Sequence, residues 1–234
     1  MSSIAIAQIM DSAYLVAIIL FILAIKWMNS PSTARRGVLM AEIGGALAVA
    51  ATLADPQVTQ YKWIAIALIV GAAVGIPLGM VKMTAVPQRT AMALTFGSLS
   101  ATMIGIAEYY VGYPHVARFG MGEISLEVII GSLTFTGSLI AAGKLQEILP
   151  LRPMVYKGQN VVSLSVLGAA LLLAVAMVVH PNQAILFPIM IGVSLVFGIL
   201  LVTPIGGADM PTVISLLNSY AGIAAAMLGF VLDS

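Results

Sequence analysis

Long, continuously apolar runs separated by short polar punctuation dominate this chain. Residues 12–25, 63–81, 90–107, 128–143, 158–208 and 210–232 contain no Asp, Glu, Lys or Arg. Most are close to the ~20 residues that carry a helix across ~30 Å of hydrocarbon. The apolar positions follow one another instead of alternating, and a helix satisfies its own backbone hydrogen bonds in lipid, so helices are expected and barrel strands are not. Turn and charge signals divide the sequence into about eight spans, roughly 10–28, 37–54, 62–81, 88–110, 124–143, 160–179, 183–202 and 209–232. His180-Pro181-Asn182-Gln183 splits the longest run, and Thr203-Pro204-Ile205-Gly206-Gly207 separates the last two spans. Pro77 and Pro188 fall inside predicted helices, where a kink is expected.

Composition strengthens this reading. Hydrophobic residues make up 61% of the 234 and charged residues 8%, too few to wet the surface of a globule of this size. The fold class expected is therefore all-α, a polytopic transmembrane bundle forming a single domain over residues 1–234. The first apolar run follows Asp11 without a basic segment before it and reaches Lys26 without a small-residue cleavage pattern, so it reads as a span and not as a signal peptide. With the N-terminus outside, Lys26, Arg35, Arg36, Lys82, Arg89, Lys144, Arg152 and Lys157 all fall on the internal side. Only Lys62 and Arg118 are left outside, the asymmetry of the positive-inside rule. A net charge of +1 suggests no polyanionic partner such as nucleic acid. There is no cysteine, and the two histidines, His115 and His180, are far apart, so no metal site is expected.

Candidate chemistry lies in small and polar stripes. Ala91, Thr95, Ser98, Thr102 and Gly105 share one face of the fourth span; Gly131, Thr134, Ser138 and Ala141 repeat the pattern in the fifth; Ser215, Asn218, Ala221, Gly222 and Ala225 do so in the eighth. Packed together, three such stripes would enclose a chain of water. Each hydroxyl has an equally good structural role, bonding the carbonyl one turn back. Asn218 differs, because a carboxamide in lipid needs a partner from another helix or from water. Gly71, Gly75 and Gly79 present three glycines on one face, a pattern read as helix packing. The acidic residues Glu42, Glu108, Asp209 and Asp233 sit at predicted span ends, and no titratable group is expected at the centre of any span. Asp209, followed by Pro211, looks like an ordinary helix N-cap beside a Gly206-Gly207 turn.

Three segments carry a resemblance along essentially the whole chain. They are Val81-Lys82-Met83-Thr84-Ala85-Val86-Pro87-Gln88, Leu133-Thr134-Phe135-Thr136-Gly137-Ser138 with Gly143-Lys144-Leu145, and Ile205-Gly206-Gly207-Ala208-Asp209-Met210-Pro211 followed by Leu217-Asn218-Ser219-Tyr220-Ala221-Gly222. Together they resemble the membrane part of the beta subunit of proton-translocating NAD(P) transhydrogenase. The resemblance implies a multi-pass protein of the bacterial cytoplasmic membrane, in which inward proton flow drives hydride transfer from NADH to NADP⁺. It implies that NAD(H) and NADP(H) are bound by separate soluble domains and no cofactor by this chain. It also implies that a further span and an NADP(H)-binding domain follow, that alpha-subunit spans are partners, and that two alpha–beta units pair. Asn218 matches a polar residue implicated in the family's proton path. Asp209, with Gly206 and Gly207, matches the loop through which that path communicates with the NADP(H) domain. Where many relatives carry a membrane-embedded histidine, this chain has Leu94, and Gln88 and Ala85 stand where some have glutamates. A histidine supplied beside Leu94 by an alpha-subunit span is the expectation that follows.

Two other functions fit the same composition. A small secondary transporter would show inverted repeats, and no internal repeat is evident. A passive anchor or dimerisation scaffold would use the Gly71–Gly79 face. No strand, glycine-rich turn and helix combine to cradle a dinucleotide, so hydride chemistry is not expected in these residues.

Overall fold

The computed structural model describes residues 3–56, 58–80, 82 and 85–233. Val81, Met83 and Thr84 of the first motif, and the chain end at Ser234, lie outside the described residues. Among the described residues eight α-helices form: α1 (Ser3–Met28), α2 (Ala34–Leu53), α3 (Tyr61–Gly79), α4 (Val86–Gly112), α5 (Arg118–Leu145), α6 (Gln159–Val179), α7 (Leu186–Val202) and α8 (Met210–Asp233). Seven are long and apolar enough to cross a membrane. The exception, α7, has 17 residues and stands at the short limit for a span.

Several boundaries and one expected kink depart from expectation; α1 begins at Ser3, seven residues before the expected start. α5 begins at Arg118, six residues before the expected start: Arg118 is exposed and Glu123 half-buried, while Glu127, inside the helix, is fully buried against α4. Pro188 lies in the first turn of α7, where a missing N–H breaks no intrahelical bond, so it starts this helix and does not kink it. Pro77 is inside α3 as expected.

Contacts divide the chain into two compact units, Met1–Ala73 and Val74–Ser234. The first is built on an antiparallel α1–α2 pair. Gly37, Gly44 and Ala51 recur every seven residues and are buried, as are Ala17 and Ala24 on α1. A Cβ at Gly37 would stand 2.7 Å from the Ala24 carbonyl oxygen, and one at Gly44 would stand 3.3 Å from that of Ala17. Only small residues let two backbones approach so closely in lipid, where packing must supply the association energy.

The second unit is organised around α5, which is buried along most of its length and packs against α4, α6, α7 and α8. On α7, Gly198 lies directly on the Leu133 carbonyl and the Thr136 hydroxyl, and Thr136 Oγ1 donates across to the Leu195 carbonyl at 2.8 Å. Gly137 admits Leu217 of α8 and Val202 of α7, at 3.1 and 3.2 Å from where its Cβ would be. An aromatic cluster closes the α4–α5 end, with Tyr109 stacked on Phe187 at 3.8 Å between ring centroids.

Candidate functional site

The expected stripes of α4 and α5 meet. Ala91, Thr95, Ser98, Thr102 and Gly105 are all buried, and so are Gly131, Thr134, Ser138 and Ala141. Thr102 Oγ1 lies against Gly131, and the carboxyl of Glu127 lies against Gly105, so a side chain at either glycine would overlap its neighbour. Four hydroxyls bond the carbonyl one turn back: Thr95 to Ala91 at 2.9 Å, Ser98 to Leu94 at 2.6 Å, Thr102 to Ser98 at 2.8 Å and Thr134 to Ile130 at 2.6 Å. Each keeps acceptor capacity on its oxygen after donating. Leu94 is half-buried beside the cluster of Ala91, Ala141, Val213 and Leu217.

Buried side-chain oxygens without a hydrogen-bond partner among the described residues are Gln88 Oε1, Ser138 Oγ, Ser132 Oγ, both oxygens of Glu127, Tyr109 Oη and Glu123 Oε2. All belong to α4 or α5: on α4 they stand near its two ends, at Gln88 and Tyr109, and on α5 they run from Glu123 to Ser138. Native interiors leave few such groups, and each costs about 1–3 kcal/mol if it stays unpaired.

The third stripe does not join the other two within this chain. Met210, Val213, Ile214, Leu217, Ala224 and Val231 take the buried side of α8, which leaves Ser215, Asn218, Gly222 and Ala225 exposed. Bulky apolar side chains fill the space against α5 better than small ones, so the polar edge is turned out. The expected three-stripe enclosure is thus a two-helix seam, with the Asn218 carboxamide on the chain's own surface. Gly71, Gly75 and Gly79 also meet no described atom within 4 Å of a Cβ position, and no residue of α3 is buried.

At the opposite end from Tyr109 lies the loop between α7 and α8. Gly206 is buried, and Gly207–Asp209 forms a 3-10 turn leading directly into α8. Gly207 donates from its amide to the Leu151 carbonyl at 2.8 Å, and a side chain there would strike Leu151. Lys144, fully buried at the end of α5, donates to the carbonyls of Thr203 at 2.5 Å and Ile205 at 2.6 Å. Thr203 is the C-cap of α7 and Ile205 lies in the loop just beyond it, so the ammonium sits at the negative end of that helix. Gln88 Nε2 donates to the Leu145 carbonyl at 3.1 Å. Asp209 is exposed and is the last residue of the 3-10 turn.

Glu127 and Lys144 are functional candidates beyond those expected. Glu127 falls four residues before Gly131, so extending the α5 stripe by one turn finds it; ending the span at the first charge hides it. Lys144 reads as an ordinary internal-side cation until the loop that folds over it is known.

Fold and site together define a polytopic α-helical membrane protein with a buried polar seam and a cation-held loop at one end of it. The NAD(P) transhydrogenase beta subunit family matches residues 10–234, and the chain belongs to that family. NAD(P) transhydrogenase subunit beta of Rhodospirillum rubrum is 39% identical over 231 residues, covering 95% of this chain and 50% of that protein. A second sequence, from a designated strain of the same species, gives the same figures. The chain spans about half the length of the curated relatives it matches.

Proposed function

We propose that this chain is the proton-translocating membrane part of a NAD(P) transhydrogenase, in a bacterial cytoplasmic membrane. Hydride passes from NADH to NADP⁺ in soluble domains that bind the two nucleotides, and the membrane part lets protons move inward as it does so. The observation that carries this reading is the series of buried, partnerless oxygens along α5, with one more near each end of α4, in a chain of this family. A passive anchor or dimerisation scaffold has no use for them, and the lack of an internal repeat weighs against a secondary transporter. Thr95, Ser98, Thr102, Thr134 and Ser138 line the seam, with Leu94 beside it.

The N-terminus is taken as external, which places the Lys144 and Gly206–Asp209 end inside and the Tyr109–Glu123 end outside. The exposed Asp209 and the constrained Gly206-Gly207 turn then face the NADP(H) domain and report its state to the seam. Asn218 and Ser215 point to where an alpha-subunit span completes the path, since a carboxamide facing lipid is expensive. That span is also where a histidine beside Leu94 would come from. The Gly71–Gly79 face is left for another helix, in the alpha subunit or in a second alpha–beta unit. The test is Asn218→Leu in the complete complex. Loss of coupled proton transfer with assembly intact supports the reading, and unchanged pumping supports the scaffold instead.

A further inference from the structure

Two ionisable side chains of α5 are fully buried, and only one is accounted for. Lys144 is held by carbonyls at the end of α7. Glu127 is 0% exposed, yet neither of its carboxyl oxygens has a partner among the described residues. A buried carboxyl retained for structure earns its place through hydrogen bonds, and this one makes none. A carboxyl in such a place must carry its proton or meet a donor from elsewhere, and exchange between those two conditions is chemistry that hydroxyls and amides lack.

Its position is equally specific. Glu127 continues the Gly131, Thr134, Ser138 face by one turn, and Gly105 on α4 provides the space its carboxyl occupies. Glu123 stands one turn before it on the same side of α5, close enough for their side chains to be neighbours. Glu123 and Arg118 are the charged residues of a groove of about 580 Å³ that is otherwise apolar, with Phe119, Leu126, Met227 and Phe230 among its walls. The groove, Glu123, Glu127 and the seam therefore follow in order along α5. Glu127 lies nine residues from the start of the helix, ~14 Å along its axis. Around it, α4 presents Tyr109 and the half-buried Glu108, and its own helix presents Glu123. Residues 170–177 of α6 and 222–231 of α8, which pack beside this end of α5, contain no charged side chain.

We propose that Glu127 is the proton-binding group of this chain's path, loaded from the external side through the Arg118–Glu123 groove and discharging along the α4–α5 seam. The proposal rests on the transhydrogenase reading above. It puts the proton-exchanging side chain on this subunit, about eleven residues, or ~16 Å, nearer the outer end of α5 than Ser138, which is on the seam near Leu94.

The experiment uses the complete complex in liposomes, with an internal pH-sensitive dye and parallel measurement of hydride transfer. Glu127→Gln is expected to reduce coupled proton movement by about tenfold or more while nucleotide binding and assembly persist. Glu127→Asp, which keeps a carboxyl, is expected to pump with a displaced pH–rate profile, a readout that packing alone does not move. A Gln variant pumping within about twofold of the parent overturns the proposal. If that variant does not assemble, the parent is treated with a membrane-permeant carbodiimide and mapped by mass spectrometry. Modification at Glu127 in proportion to lost pumping supports the proposal, and modification there without loss, or none there, overturns it. A parent complex that moves no protons sinks the transhydrogenase reading as well, whereas a pumping parent with an unimpaired Gln variant sinks this inference alone.

Discussion

Replacing Lys144 by methionine keeps the length of the side chain and removes its charge and donors. The ammonium makes two short bonds, to Thr203 O at 2.5 Å and Ile205 O at 2.6 Å. Hydrogen bonds to charged groups contribute about 1.5–3 kcal/mol each, so roughly 3–6 kcal/mol of interaction is lost. Part returns because an ammonium no longer has to be held out of water, which leaves a net local loss of about 2–3 kcal/mol. That loss falls on the Thr203–Asp209 segment, whose hydrogen bonds to the α5–α6 connection are the Gly207–Leu151 bond and the longer Met154–Thr203 bond. Local opening of the loop is then expected to be roughly thirtyfold or more easier. The assay is amide hydrogen exchange followed by mass spectrometry in detergent or nanodiscs, comparing peptides over 203–210 with peptides over 160–175. Exchange should accelerate in the first set and stay unchanged in the second. Equal exchange in parent and variant over 203–210 refutes the claim that Lys144 holds this loop.

Gly198→Ala should lower thermal stability by about 1–3 kcal/mol, because its Cβ would meet the Leu133 backbone and the Thr136 hydroxyl. Gly192→Ala on the same helix has open space and should be neutral or up to about 1 kcal/mol stabilising. Equal melting temperatures for the two variants would contradict the close α5–α7 approach. Gly37→Ala places a Cβ 2.7 Å from the Ala24 carbonyl oxygen, so α1 and α2 must separate. Thermal stability should fall in that variant, and an unchanged melting temperature would show that the pair does not depend on Gly37.

Spans were readable because the test lipid applies is nearly one-dimensional: a stretch crosses if it is long and uncharged. The eight expected spans correspond to eight helices, seven of them long and apolar enough to cross, and the differences fall at ends, chiefly at the starts of α1 and α5. The α4 and α5 stripes were readable as well, since small and polar residues at helical spacing are conspicuous in an oily sequence. Their meeting partner was not. The Ser215–Asn218–Ala225 stripe has the same spacing, yet faces away from this chain. Gly71, Gly75 and Gly79 made the more obvious packing signal, yet Gly37 and Gly44 carry the helix pair in the first unit.

By itself, the sequence determined the membrane class, the number of helices, the family and the polar stripes available to each helix. Only the tertiary structure decided that α5 is central, that Glu127 is enclosed against Gly105, that Lys144 ties down the α7–α8 loop, and that Asn218 faces outward. The reason is that lipid tails and a protein interior are almost equally apolar, so hydrophobicity says that a helix crosses without saying which face turns inward. Inward faces are chosen by close packing at particular small residues, and that depends on the shape of every neighbour at once.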